Sequence, residues 1–177
     1  MPSFRWIALI LALAIPGASP AEDDQAALEA WQRHQNACAQ FQFEERYVQA
    51  VAACGAAVAV AERLEPGPQL EGSLNDLAMA YVHLHRYAEA ERLLMRVLGI
   101  RVKTLGQDHV MVAGTLDLLA AIYRKMGRDS AARNFAGEVD RITDNCTGHL
   151  TDEQKEGMTE NQAPDPCTPE TVPPFLR

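Results

Sequence analysis

Leu74-Asn75-Asp76-Leu77-Ala78-Met79-Ala80-Tyr81 returns 42 residues later as Leu116-Asp117-Leu118-Leu119-Ala120-Ala121-Ile122-Tyr123. Self-similarity at a fixed spacing is the mark of a repeat architecture, in which each unit is too small to bury its own apolar face. The correspondence continues downstream, where Arg86, Ala90, Val97 and Ile100 meet Arg128, Ala132, Val139 and Ile142 at the same spacing. Upstream, Arg46-Tyr47-Val48-Gln49-Ala50 pairs with Arg86-Tyr87-Ala88-Glu89-Ala90 once the connection is shortened by two residues. That alignment sets Cys38 opposite Ala78 and Phe41 opposite Tyr81. Three copies result, at about 24–65, 69–105 and 109–143.

Each copy holds two apolar stripes of helical period. Leu74, Leu77, Ala78 and Tyr81 form one; Tyr87, Ala90, Leu94 and Val97 form the other, extended by the alkyl stem of Arg101. Only His83-Leu84-His85-Arg86 separates them, which leaves room for an antiparallel turn. Alanine recurs where paired helices must approach, at Ala78, Ala90, Ala120 and Ala132. Lone hairpins of this kind have to stack.

Proline marks the limits of the array, because inside a helix it removes a hydrogen bond and clashes with the preceding turn. Between Ala21 and Gln162 the prolines are Pro66 and Pro68, so one break is expected there. Pro164, Pro166, Pro169, Pro173 and Pro174 then crowd the end of an acidic segment, 144–177, which reads as an extended tail. At the other end, Arg5 precedes an apolar run from Trp6 to Ile15 and the small residues Ser19-Pro20-Ala21. Residues 1–21 therefore read as a signal peptide cleaved near Ala21, since a membrane-spanning helix needs about twice that apolar length. The expected destination is periplasmic or secreted, with no stable membrane insertion after removal of the signal.

A net charge of −8 excludes a partner that must be bound through its phosphates, so no nucleic acid is expected. The four cysteines, Cys38, Cys54, Cys146 and Cys167, belong with an oxidising compartment, where an even number is usually paired. Of three pairings the simplest joins neighbours, Cys38 with Cys54 and Cys146 with Cys167. A rival use of Cys146, His149 and Cys167 as metal ligands lacks a fourth donor and suits a reducing compartment. Asn145-Cys146-Thr147 also fits a glycosylation acceptor if the host is eukaryotic. Thr151-Asp152-Glu153-Gln154 has the form of a capping box opening a short polar helix. Val172-Pro173-Pro174-Phe175-Leu176-Arg177 offers apolar side chains on a stiff backbone suited to docking. His34, His83, His85 and His109 lack an acidic or amide residue spaced to orient a base, and His83 and His85 lie too far apart around a helix to share a metal. No catalytic residue, metal or cofactor is expected.

The run Leu74-Asn75-Asp76-Leu77-Ala78 through Arg86-Tyr87-Ala88-Glu89-Ala90-Glu91-Arg92-Leu93-Leu94, continuing to Leu105-Gly106-Gln107-Asp108-His109, resembles the tetratricopeptide repeat, and within it the long-period kinesin-light-chain-like subgroup. The resemblance implies an all-α fold: a right-handed α-solenoid of three antiparallel helix pairs with a short irregular tail. It places Cys38 and Cys54 on facing helices of the first pair. It also implies a concave groove lined by the first helix of each pair, with Gln32, Gln35 and Asn36, then Asn75, Met79, Val82 and His83, then Asp117, Ala121, Arg124 and Lys125. Asn75 stands out because its amide both donates and accepts, whereas ionised Asp117 only accepts. The function implied is an exported adaptor or scaffold holding a protein or peptide in that groove. Two alternatives remain: a structural subunit of an envelope or secretion assembly that uses the ends of the stack, and, more remotely, a thiol-dependent enzyme.

Overall fold

The computed structural model describes residues 20–64 and 67–147, and within them six helices and no strand. They are α1 (Pro20–Phe43), α2 (Tyr47–Ala61), α3 (Pro68–His83), α4 (Tyr87–Leu105), α5 (Val110–Lys125) and α6 (Asp129–Thr147). Each packs chiefly on its neighbours in sequence, and α1 also reaches α3. The result is a stack of three hairpins. Helix α1 begins at Pro20, ahead of the expected cleavage point, and α6 runs to Thr147, past the expected start of the tail at 144.

The three hairpin turns are built alike. After α1, α3 and α5 the chain takes a left-handed residue, Glu45 (φ 57°), His85 (φ 57°) and Gly127 (φ 71°). The amides of Arg46, Arg86 and Arg128 then return to the carbonyls of Phe41, Tyr81 and Tyr123 at 2.8, 2.9 and 2.9 Å. Those of Glu45, His85 and Gly127 reach Gln42, Val82 and Arg124 at 3.0 Å each. This double closure satisfies carbonyls that a helix end otherwise leaves open. The three arginines also lie over the rings of Phe41, Tyr81 and Tyr123, 4.7, 4.6 and 4.3 Å from the centroids. Such contacts are worth about 0.5–1 kcal/mol at exposed sites. The aromatic residue and the arginine five positions later thus form one repeated clasp.

Small residues let the paired helices close. Ala50, Ala78, Ala90 and Ala120 have no exposed surface and Ala132 has almost none. Larger apolar side chains fill the space between pairs. One cluster joins Cys38, Cys54, Leu74, Leu77 and Val97; a second joins Ala78, Leu94, Leu119, Ile122 and Tyr123; a third, around Val112, Leu116 and Ile142, binds α6 to the start of α5. Burying a leucine of this kind stabilises the fold by about 1.5–3 kcal/mol.

The first pair carries a covalent tie. Cys38 on α1 and Cys54 on α2 are bonded, with Cα atoms 4.9 Å apart and no exposed surface. They occupy the positions that Ala78 and Leu94 hold in the second pair. The Gln42 amide reaches both sulfurs, at 3.3 and 3.5 Å, and donates at 3.1 Å to the Asp76 carbonyl of α3. The side chain of Cys146 and all of Cys167 lie outside the described residues, as do the signal segment 1–19, the Thr151–Gln154 box and the 172–177 ending.

Candidate functional site

The first helices lie side by side. Helix α1 is tied to α3 by a chain of polar side chains in which the Trp31 indole donates to the Ser73 hydroxyl at 2.9 Å and Ser73 donates to the Gln35 carbonyl oxygen at 3.0 Å. The Gln35 amide then donates to the Asp76 carboxylate. Ala78 of α3 and Leu119 and Tyr123 of α5 belong to one core cluster together with Ala90 and Leu94 of α4. Residues of these three helices make up the candidate face.

On α1, Gln32 and Asn36 are exposed, while Gln35 is half-buried and committed to Ser73 and Asp76. On α3, Asn75 and Met79 are half-buried, and the Asn75 amide makes no hydrogen bond among the described residues. Val82 packs into the core cluster beneath the face. His83 is exposed on one side and stacked on Tyr47 of the preceding pair on the other, ring centroids 4.2 Å apart and planes within 4°. On α5, Asp117, Arg124 and Lys125 are exposed and form no ion pair among the described residues, and Ala121 is half-buried between them. Their free charges contrast with Arg46, Arg86, Arg96, Arg128 and Arg141, each paired with a carboxylate.

Repeat equivalence sharpens the picture of the face. Gln35, Asn75 and Asp117 occupy one position in successive pairs, as do Phe43, His83 and Lys125. Phe43, 90% exposed, therefore continues the row that the sequence reading began at His83. An aromatic ring, an imidazole and an ammonium mark one rim, above a floor of amide, thioether and carboxylate.

Several groups that organise the face were missed. Asp76 is half-buried beside Asn75, and burial pushes its carboxyl above the ordinary aspartate range, opposed in part by the hydrogen bond from Gln35. Arg101 is a buried cation: its Nε donates to Glu71 at 2.8 Å, and its Nη1 donates to the Met111 carbonyl at 3.0 Å and the Thr115 hydroxyl at 2.8 Å. Tyr123 donates to Glu91, which raises its phenol above the usual value. The offset that aligns the copies also aligns Ser73 with Thr115, two small hydroxyls on otherwise apolar stripes, and that coincidence was the available signal.

Hairpins stacked with their first helices on one face define an α-solenoid of the kind that presents a surface to other polypeptides. Residues 69–139 match the family model of the tetratricopeptide repeat. Among solved structures, a Podosopora anserina putative kinesin light chain with nearly identical TPR-like repeats is similar at 23% identity and a TM-score of 0.57, over 72% of this chain and 57% of that one. A point variant of that same protein gives 22% and 0.57 over the same shares. BtubC (BKLC) from P. vanneervenii gives 15% and 0.55, over 77% of this chain and 61% of its own. At such identities the likeness is one of fold, and the chain spans less than two thirds of those proteins. No curated protein matches it.

Proposed function

We propose that this protein is an exported adaptor that holds a peptide or protein on the face formed by α1, α3 and α5, by recognition without catalysis. The observation that carries the reading is the contrast on that face: among the described residues Asn75, Asp117, Arg124 and Lys125 have no hydrogen-bond or ion-pair partner, while most of the other described arginines are paired. An unspent amide beside unspent charges suits a polypeptide, whose backbone offers donors and acceptors and whose side chains supply countercharge. The tetratricopeptide family supports the same class of partner. The leader at 1–21 and the Cys38–Cys54 bond both suit an oxidising compartment outside the cytosol. Among the described residues, no helix is long and apolar enough to cross a membrane.

The test is position-resolved crosslinking in the native compartment. A photoreactive side chain at Asn75 should capture a discrete partner, and one at Met95, on the exposed side of α4, should not. Equal capture from both positions would remove the reading.

A further inference from the structure

We propose that the cleft between the start of α3 and the end of α4 seats this chain's own C-terminal segment, Val172–Leu176. The cleft has a volume of about 590 Å³ and is lined mainly by apolar atoms, among them those of Pro68, Leu70, Ile100 and Leu105. That size lies in the range of sites that enclose a ligand. Leu105 is 41% exposed on it and Val102, nearby on α4, is 40% exposed, an apolar edge at the end of a helix otherwise flanked by charge. Its cation, Lys103, has no ion-pair partner among the described residues, whereas its carboxylate, Glu71, is already held by Arg101.

The occupant follows from where the described chain ends. Helices α3 and α5 start, and α4 and α6 finish, at the same pole of the stack. Arg141 in the last turns of α6 bonds Asp108 at 2.7 Å, three residues beyond Leu105. On the other side, Arg101 links Glu71 of the cleft to the Met111 carbonyl at the start of α5. A continuous set of side-chain bonds and short loops thus joins the cleft to the point from which residues 148–177 depart. The 24 residues from 148 to 171 can span roughly 80 Å at about 3.3 Å per residue. They carry Asp152, Glu153, Glu156, Glu160, Asp165 and Glu170 against Lys155, a charge complementary to Lys103. The segment itself brings Val172, Phe175 and Leu176 on a backbone that Pro173 and Pro174 stiffen, which lowers the entropy lost on docking. With a Cys146–Cys167 bond the tether would be residues 168–171, roughly 13 Å at about 3.3 Å per residue, leaving from the end of α6.

A photoreactive residue at Phe175 in the full chain tests this, because the repeats are left untouched. Peptide mapping should find intramolecular crosslinks to residues 67–71 and 100–105. Leu105→Asp, a change at an exposed position whose helicity can be checked by circular dichroism, should lower their yield severalfold. Crosslinks to α1, α3 or α5 outside those residues, crosslinks between two copies of the chain, an absence of crosslinks, or a yield unmoved by Leu105→Asp would each overturn the assignment.

Discussion

The seam between the first and second hairpins and the seam between the second and third share one apolar register but are tied by different chemistry. At the first, Trp31 donates to Ser73, and Ala61 packs silently nearby. At the second, Glu71 takes the place of Trp31, Thr115 that of Ser73, and Arg101 that of Ala61. A neutral indole-hydroxyl bond has been exchanged for a buried ion pair that also satisfies a hydroxyl and a carbonyl. The first seam has the disulfide beside it; the second has Tyr123, Glu91 and Arg128. Stacking therefore requires the apolar period, and each seam solves its own polar problem locally.

The largest effect is expected from Arg101→Ala. It leaves Glu71, whose side chain is only 13% exposed, without a countercharge, a loss of about 3–5 kcal/mol, readable in the urea midpoint. Arg101→Met together with Glu71→Leu should recover most of it, since a well-packed apolar pair replaces a buried ionic one at little cost. Next comes the bond between Cys38 and Cys54, which closes a short loop across a sequence separation of 16. Replacing both by alanine should cost roughly 3 kcal/mol, with hydrogen exchange rising in α1 and α2 before α5 and α6. Trp31→Phe removes one hydrogen bond but leaves Ser73 its bond to Gln35, so about 1 kcal/mol is expected from thermal unfolding. The smallest effect concerns Asp76. Burial raises its folded pKa above the unfolded value of about 3.9, so its contribution is fully favourable below that pH and declines as pH rises through the folded pKa. Asp76→Asn should flatten the dependence of the urea midpoint on pH in that window.

Much of this was legible because repeats state their apolar positions more than once. Leu74 and Leu116, Tyr81 and Tyr123, Ala90 and Ala132 each report a buried position twice, and the structure buries or half-buries all six. The residues of the clasp recur as Phe41 with Arg46, Tyr81 with Arg86 and Tyr123 with Arg128, but the repeat period does not say that the arginine lies over the ring. What escaped was written once. Arg101 has Ala61 and Thr143 as its counterparts, so periodicity could assign it a buried stem and no more. Asp76 faces Asn36 and Leu118 in the register and gave no hint of its bond with Gln35. Gln35 was read as part of the open face, and it spends its amide in the seam instead because Ser73 and Asp76 lie within reach of it. A polar side chain's partner depends on its neighbours in three dimensions, and one sequence does not repeat that information.

The most direct measurement is the affinity of a partner captured at Asn75 for two variants carrying the same added charge, Asn75→Arg on the face of the first helices and Met95→Arg on the exposed side of α4. Recognition on the first-helix face predicts a loss of about tenfold or more, roughly 1.4 kcal/mol, for the first and an unchanged Kd for the second. An unchanged Kd for Asn75→Arg, with both variants folded, would contradict it.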